Sequence, residues 1–225
     1  MKSIIKKVIG YGEKNESIHK LAYEKYRNFT MIPEDTFIGN LELCSQFSNI
    51  PGCVMEFGVW KGGMSAAMAE LMGKERKYFL FDGFEGMPPA KEIDGKRALD
   101  WQNDKSSPNY LDNCKADISF AQQAMKMSGT PDYKIVKGWF NDTVPSFVPP
   151  DKIAILRLDC DWYDSMMVCL DTLYKYVAPG GLIILDDYLV YEGCSRAVHD
   201  FLSKNNSPLM IRQHVSGVPY IINKI

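Results

Sequence analysis

The residues of this chain best placed to do chemistry are acids that stand in or directly after short apolar runs. Glu56 lies inside the run Cys53–Phe57 (CVMEF), Asp82 follows Lys77–Phe81 (KYFLF), Asp159 and Asp161 follow Lys152–Leu158 (KIAILRL), and Asp186 and Asp187 follow Leu182–Leu185 (LIIL). If the last two runs are parallel neighbours, Asp159 meets Asp186 and Asp187. Carboxylates brought together in this way repel unless protons or a cation neutralise them. An all-oxygen set suits a hard divalent ion such as Mg²⁺. Asp161 and Asp164 also stand where a following helix needs an N-cap, and one of Asp186 and Asp187 can cap a loop. Asp82 can accept both hydroxyls of a ribose, or open an Asp82-Gly83 turn.

Glycines frame the first of these acids. Gly58, Gly62 and Gly63 in Glu56–Ser65 (EFGVWKGGMS) permit a tight turn and close backbone approach to a ligand at the head of the next helix. The spacing is GxxxGG, not the GxGxxG of a dinucleotide site, and no GK[ST] follows. An acid at position 56 repels a pyrophosphate and suits a cationic ligand. The competing reading is a strand–helix turn whose glycines serve packing.

Such acids need strands to align them. The apolar runs predict strands at Cys53–Phe57, Lys77–Phe81, Lys134–Val136, Lys152–Leu158 and Leu182–Leu185, with Leu209–Val215 and Val218–Ile222 as a closing hairpin. Helices are expected over 1–30, 36–48, 64–72, near 110–128, over 164–177 and over 193–204. Continuous apolar strands between helices imply a mainly parallel sheet covered on both faces, with ligands at the carboxyl ends of its strands. The stretch from Gly83 to about Asn109 reads as a long binding loop or lid, in which Trp101 either covers a ligand or anchors the loop.

Composition narrows the class. With 46% apolar and 24% charged residues in 225, the chain is folded rather than disordered. The 26 basic against 28 acidic side chains exclude a broad nucleic-acid footprint, so no nucleic-acid partner is expected. No apolar run approaches the roughly 20 residues of a membrane span. Lys2, Lys6 and Lys7 beside Ile4, Ile5 and Val8 read as a solvated amphipathic end, with no membrane partner. The N-terminus lacks a signal-peptide core, and six cysteines without a CxxC pair suggest buried free thiols in a cytoplasmic protein. The three histidines lie away from the strand ends in sequence.

Taken together, Glu56–Ser65, Phe81–Pro88 (FDGFEGMP), Lys137–Thr143 (KGWFNDT), Leu158–Ser165 (LDCDWYDS) and Gly180–Tyr188 (GGLIILDDY) resemble the macrocin O-methyltransferase (TylF-type) family of class I S-adenosylmethionine-dependent methyltransferases. The likeness spans about residues 31–204. It implies a Rossmann-like, doubly wound, mostly parallel seven-stranded α/β sheet with a C-terminal antiparallel hairpin, forming an α/β/α sandwich. It further implies a helical segment or lid over 1–50 and a methyltransferase domain over 51–225. By the same resemblance, Glu56, Gly58, Gly62, Gly63 and Ser65 surround the amino-acid end of S-adenosyl-L-methionine and Asp82 takes its ribose. Gly83, Phe84, Lys137, Gly138 and Trp139 then line the adenine side, and Asp159, Asp186 and Asp187 match Mg²⁺ positions. The family's usual DGD reads Asp159-Cys160-Asp161 here, and a serine commonly stands at the position of Gly83.

The resulting expectation is Mg²⁺-assisted methylation of a sugar hydroxyl on a small sugar-containing acceptor. Asp161 is the candidate base and Asp159 its competitor, while Trp162, Tyr163 and Tyr188 are placed to stack on the acceptor. The N-terminal helices offer a route to a homo-oligomer. Competing expectations are a phenol- or catechol-type O-methyltransferase, a non-catalytic cofactor- or sugar-binding relative, and a nicotinamide oxidoreductase.

Overall fold

A computed structural model describes residues 18–224. The amphipathic start with Lys2, Lys6 and Lys7 lies outside the described residues, as does the first part of the helix expected over 1–30. Helix α1 (18–26) leads through a 3-10 turn, Arg27–Phe29, to α2 (Glu34–Gln46). The alternating body follows: β1 (Cys53–Phe57), α3 (Gly63–Met72), β2 (Tyr78–Asp82), α4 (Lys96–Asn103), α5 (Ile118–Ser128), β3 (Tyr133–Lys137), α6 (Phe140–Thr143), β4 (Ile153–Leu158), α7 (Tyr163–Leu173), β5 (Val177–Leu185), α8 (Glu192–Lys204), β6 (Arg212–Gln213) and β7 (Pro219–Ile222).

Among the described residues, seven strands form one sheet in the order β3-β2-β1-β4-β5-β7-β6. The first five pair in parallel, and β7 runs antiparallel to both β5 and β6. Every residue of β1 and β4 is buried, which is why these strands carry no polar alternation. One face packs on α1, α2, α3 and α5 through Tyr26, Phe37, Leu41, Met68 and Met125. The other packs on α7 and α8 through Met166, Leu170, Val198 and Phe201. The described part of the N-terminal 50 residues shares the core of the first face.

Register sets the site. Phe57 pairs with Phe81 and with Leu158, and Leu158 pairs with Leu185. Gly58, Asp159 and Asp186, each one step past its strand's last paired residue, therefore stand in one row across the carboxyl edge with Asp82, the last residue of β2. Backbone bonds carry the ladder into that row: Gly58 N to Phe81 O (2.9 Å), Asp159 N to Phe57 O (3.0 Å) and Asp186 N to Leu158 O (3.0 Å).

Several expected bounds move. The stretch expected as a loop after Gly83 contains α4, which escapes a periodicity search because Ala98 is its only buried residue. The helix expected from 110 begins only at Ile118, where Asp117 caps it by accepting from Ser119 N at 2.8 Å. Before it, Leu111, Asp112, Asn113 and Cys114 form a left-handed turn with φ of 46°, 52°, 56° and 58°. The hairpin strand expected over 209–215 shrinks to Arg212–Gln213, while β5 extends back through the Pro-Gly-Gly turn to Val177. All six cysteines are free and Cys114 alone is half-buried.

Candidate active site

A cavity of about 420 Å³ opens along the carboxyl edge over β1, β2 and β4. Its wall includes Glu56, Gly58, Asp82, Gly83 and Trp139 from the expected cofactor set, and Asp159 and Asp161 from the expected catalytic pair. The remaining expected residues are not part of the wall. The Ser65 hydroxyl donates to Glu56 Oε2. Gly62, in left-handed geometry, precedes α3, and Gly63 packs under the Phe29 carbonyl. Phe84 N donates to Asp82 Oδ1 at 2.6 Å, Gly138 N donates to the Asp82 carbonyl at 3.0 Å, and Lys137 pairs with Glu85 at 3.0 Å.

At one end of the cavity, a Cβ on Gly83 would lie 3.3 Å from the Trp139 ring, so the absent side chain lets the indole lie against the strand end. Asp82 takes Phe84 N on one oxygen and Trp60 N on the other, at 2.8 Å. Burial pushes its carboxyl above the usual range, against these backbone donors. Trp60 itself lines the cavity, and its Nε1 is buried without a hydrogen-bond partner among the described residues.

At the other end, one carboxylate oxygen each from Asp159, Asp161 and Asp187 lies within 4.8 Å of the other two. Asp161 N donates to Asp187 Oδ2 at 3.0 Å, and Asp161 has φ 52°, a left-handed conformation that Asp tolerates better than most residues. Burial, then repulsion from Asp159 and Asp186, holds Asp161 well above the carboxylate range. Burial, then Asp161 and Asp159, does the same to Asp187. The Cys114 thiol, on the same wall, is pushed up to about 12 by burial and then by these carboxylates, so it stays protonated near neutrality.

Asp186 is not part of that close group. Its Oδ1 accepts from Arg157 Nη2 at 2.5 Å, and burial, opposed first by Arg157, brings its carboxyl to about 6. Arg157 also bonds Glu56 and Asp159, each at 2.8 Å. Burial by itself lowers the pKa of Arg157, but the attraction of Asp186, Asp159 and Glu56 outweighs it and keeps the guanidinium charged. Glu56, buried beside it, is pushed up to about 7 by desolvation despite Arg157 and Ser65.

Other expectations resolve geometrically. Asp161 and Asp164 do not cap α7, whose N-cap is Trp162 without a side-chain bond. Trp162 is buried and donates Nε1 to Pro88 O at 2.9 Å, Tyr163 bonds Asp200, and Tyr188 bonds His199. None of these three aromatics lines the cavity. His199 thus meets the segment after Asp187, although it is remote in sequence. Trp101 donates to Asn109 O at 3.0 Å and packs on Tyr110 and Trp162, so it anchors its loop. Outside the sequence expectations were the Phe29–Ile32 strap and Cys114 on the wall and Arg157 behind it, while Pro88 and Pro89 come from the stretch expected as a binding loop and Asn141 from the KGWFNDT segment. Only Arg157 left a signal, a charge inside the apolar run KIAILRL.

This strand order, with a glycine turn after β1 and an acid ending β2 over one cavity, is the arrangement that the resemblance to class I S-adenosylmethionine-dependent methyltransferases implies. The model of the Macrocin-O-methyltransferase (TylF) family matches residues 26–216, and the chain belongs to that family. It is similar to the mycinamicin III 3''-O-methyltransferase of Micromonospora griseorubida, with 29% identity over 75% of this chain and 68% of that one. It is 31% identical, over 73% of its length and 64% of the relative's, to the 8-demethyl-8-(2,3-dimethoxy-alpha-L-rhamnosyl)-tetracenomycin-C 4'-O-methyltransferase of Streptomyces olivaceus. The chain thus matches about two thirds of the length of these curated relatives. The solved O-methyltransferase NovP superposes with a TM-score of 0.73 at 27% identity, covering 88% of this chain and 83% of that one.

Proposed function

We propose that the protein methylates a sugar hydroxyl on a glycoside or other small sugar-containing acceptor, with Mg²⁺ assisting. One observation carries this reading: a single cavity runs from Asp82 and Trp139 to the carboxylates Asp159 and Asp161. One relative, whose name specifies a rhamnosyl-bearing acceptor, supports the acceptor class. S-adenosylmethionine, when bound, supplies an electrophilic methyl group on a sulfonium. Asp82 receives the ribose hydroxyls, Trp139 flanks the adenine, and Glu56 faces the cationic end.

The acidic group fits a hard cation, because its donors are all carboxylate oxygens and burial leaves Asp161 and Asp187 short of counter-charge. Asp159 and Asp187 would hold the ion, while Asp186, turned to Arg157, stands outside the close group. Bound Mg²⁺ supplies counter-charge and acidifies an oxygen acid beside it. Asp161, on the cavity wall beside the acidic group, takes the proton of the acceptor hydroxyl.

Labelled S-adenosylmethionine and a panel of glycosides and nucleotide-sugars test the reading, with and without EDTA. Transfer is expected with Mg²⁺ and lost in EDTA. Asp161→Asn should lower kcat by about 10²–10⁴-fold, the range for a positioned base, with little change in S-adenosylhomocysteine affinity. Turnover untouched by EDTA and by Asp187→Asn removes the cation from the scheme. An acceptor panel that yields only methylated phenols removes the sugar.

A further inference from the structure

Arg157 touches both halves of this site from beneath. Glu56 and Arg157 are register partners on β1 and β4, on the sheet face covered by α2 and α3. The side chain of Arg157 is fully buried. Its Nη1 donates to Glu56 Oε1 and to Asp159 Oδ2, both at 2.8 Å, its Nη2 to Asp186 Oδ1 at 2.5 Å, and its Nε to Asn40 Oδ1 at 3.2 Å.

Each partner is itself anchored. Asn40 donates Nδ2 to Thr36 O at 2.9 Å within α2. Glu56 takes the Ser65 hydroxyl from α3 on its other oxygen. Glu56 is thus held from α3 on one side and from β4 on the other, and it shares one nitrogen of Arg157 with Asp159. A guanidinium that shifts must move both carboxylates. A lysine ammonium keeps the charge but lacks the planar fork that reaches three carboxylates and an amide at once.

We propose that Arg157 is a positioning residue that ties the cofactor end of the cavity to the acidic group, so that cofactor affinity depends on Asp186, a residue absent from the cavity wall. The inference rests on the cofactor reading given above. Reciprocal coupling between two such sites is commonly about 5- to 150-fold in affinity. It passes here through one side chain rather than through a moving element.

Calorimetry of S-adenosylhomocysteine binding in EDTA provides the test, on the wild-type chain, Arg157→Lys, Asp186→Ala and the double variant. Circular dichroism checks that each is folded. Arg157→Lys is expected to weaken binding about tenfold, and Asp186→Ala about fivefold although it lies off the wall. In the double variant the losses should not multiply, and its Kd should stay within about twofold of Arg157→Lys, because both changes act through one contact. A purely structural arginine would lower the unfolding temperature and leave the Kd of the folded variants unchanged. A folded Asp186→Ala with wild-type affinity, or a double variant whose loss is the product of the singles, overturns the inference. If Arg157→Lys does not fold, Asn40→Ala, which frees the guanidinium on its α2 side, takes its place in the same cycle with the same criteria. A wild-type chain that binds no S-adenosylhomocysteine overturns the cofactor reading itself, which is a different result from a binding wild type with indifferent variants.

Discussion

At the scale of single residues, the site is a problem of charge. Glu56 rises from 4.5 to about 7, chiefly through burial. Asp186 rises from 3.8 to about 6, again with burial first. Both groups hold protons more tightly folded than unfolded, so their contribution to stability is greatest at low pH and falls as pH climbs through that window. Asp161 and Asp187, raised in the same direction, extend the fall toward higher pH. Thermal unfolding of the ligand-free protein in EDTA should therefore show Tm decreasing from about pH 5 to about pH 8. Added Mg²⁺ should raise Tm more at the upper end, where the carboxylates are free of protons. A Tm that is flat across this range would mean that the acids are solvated rather than crowded. Sequence showed these acids because each follows or sits in an apolar run. It did not show that Asp186 turns away to Arg157, since which of two adjacent carboxylates faces a buried cation depends on the whole sheet.

At the scale of elements, the row across the carboxyl edge depends on Gly58. A Cβ there would stand 2.0 Å from the Asp159 carbonyl oxygen, and the backbone φ of +80° disfavours any L side chain. Gly58→Ala is expected to cost at least about 1–3 kcal/mol from backbone strain and to part β1 from β4 where the cavity begins. Chemical denaturation should record the lost stability, and calorimetry weaker S-adenosylhomocysteine binding. An unchanged midpoint would show that the turn relaxes freely. The strands themselves were legible: β1 matches its expected bounds, and β2, β3 and β4 differ by a residue at their ends. Their runs are continuously apolar because helices cover both faces. Helix α4 was not legible, because its short polar sequence packs one small alanine against the body. Nor was the strap at Phe29–Ile32, which reaches the cavity only through tertiary folding.

At the scale of the molecule, two segments close the cavity without belonging to the sheet. The strap brings Phe29, Thr30, Met31 and Ile32, and the strip after β2 brings Gly86–Pro89. The strip hangs on Gln102, which takes Ala90 N at 2.6 Å and gives Nε2 to Pro88 O at 3.0 Å. These bonds are local, whereas β1 and β4 sit wholly inside the core, so the two regions belong to opposite ends of the stability range. Hydrogen exchange should slow at 29–32 and 86–90 when S-adenosylhomocysteine binds, with little change in β1 and β4. At a ligand concentration of about 100 Kd the folded state gains about 2.7 kcal/mol, or roughly 5–10 °C in Tm for a chain of this size. Protection confined to the central strands would mean that the ligand occupies another place.

The left-handed turn at Leu111–Cys114 has a stereochemical consequence. Four successive L-residues run there against their own chirality, at roughly 1–2 kcal/mol each. The Asn113 side chain bonds Met87 O and Gln102 Nε2, and its carbonyl takes Met87 N. A mirror-image residue is at home in this conformation. A semisynthetic chain carrying D-alanine at position 112 would relieve the turn without altering those bonds, and would make this wall of the cavity more stable than its natural form.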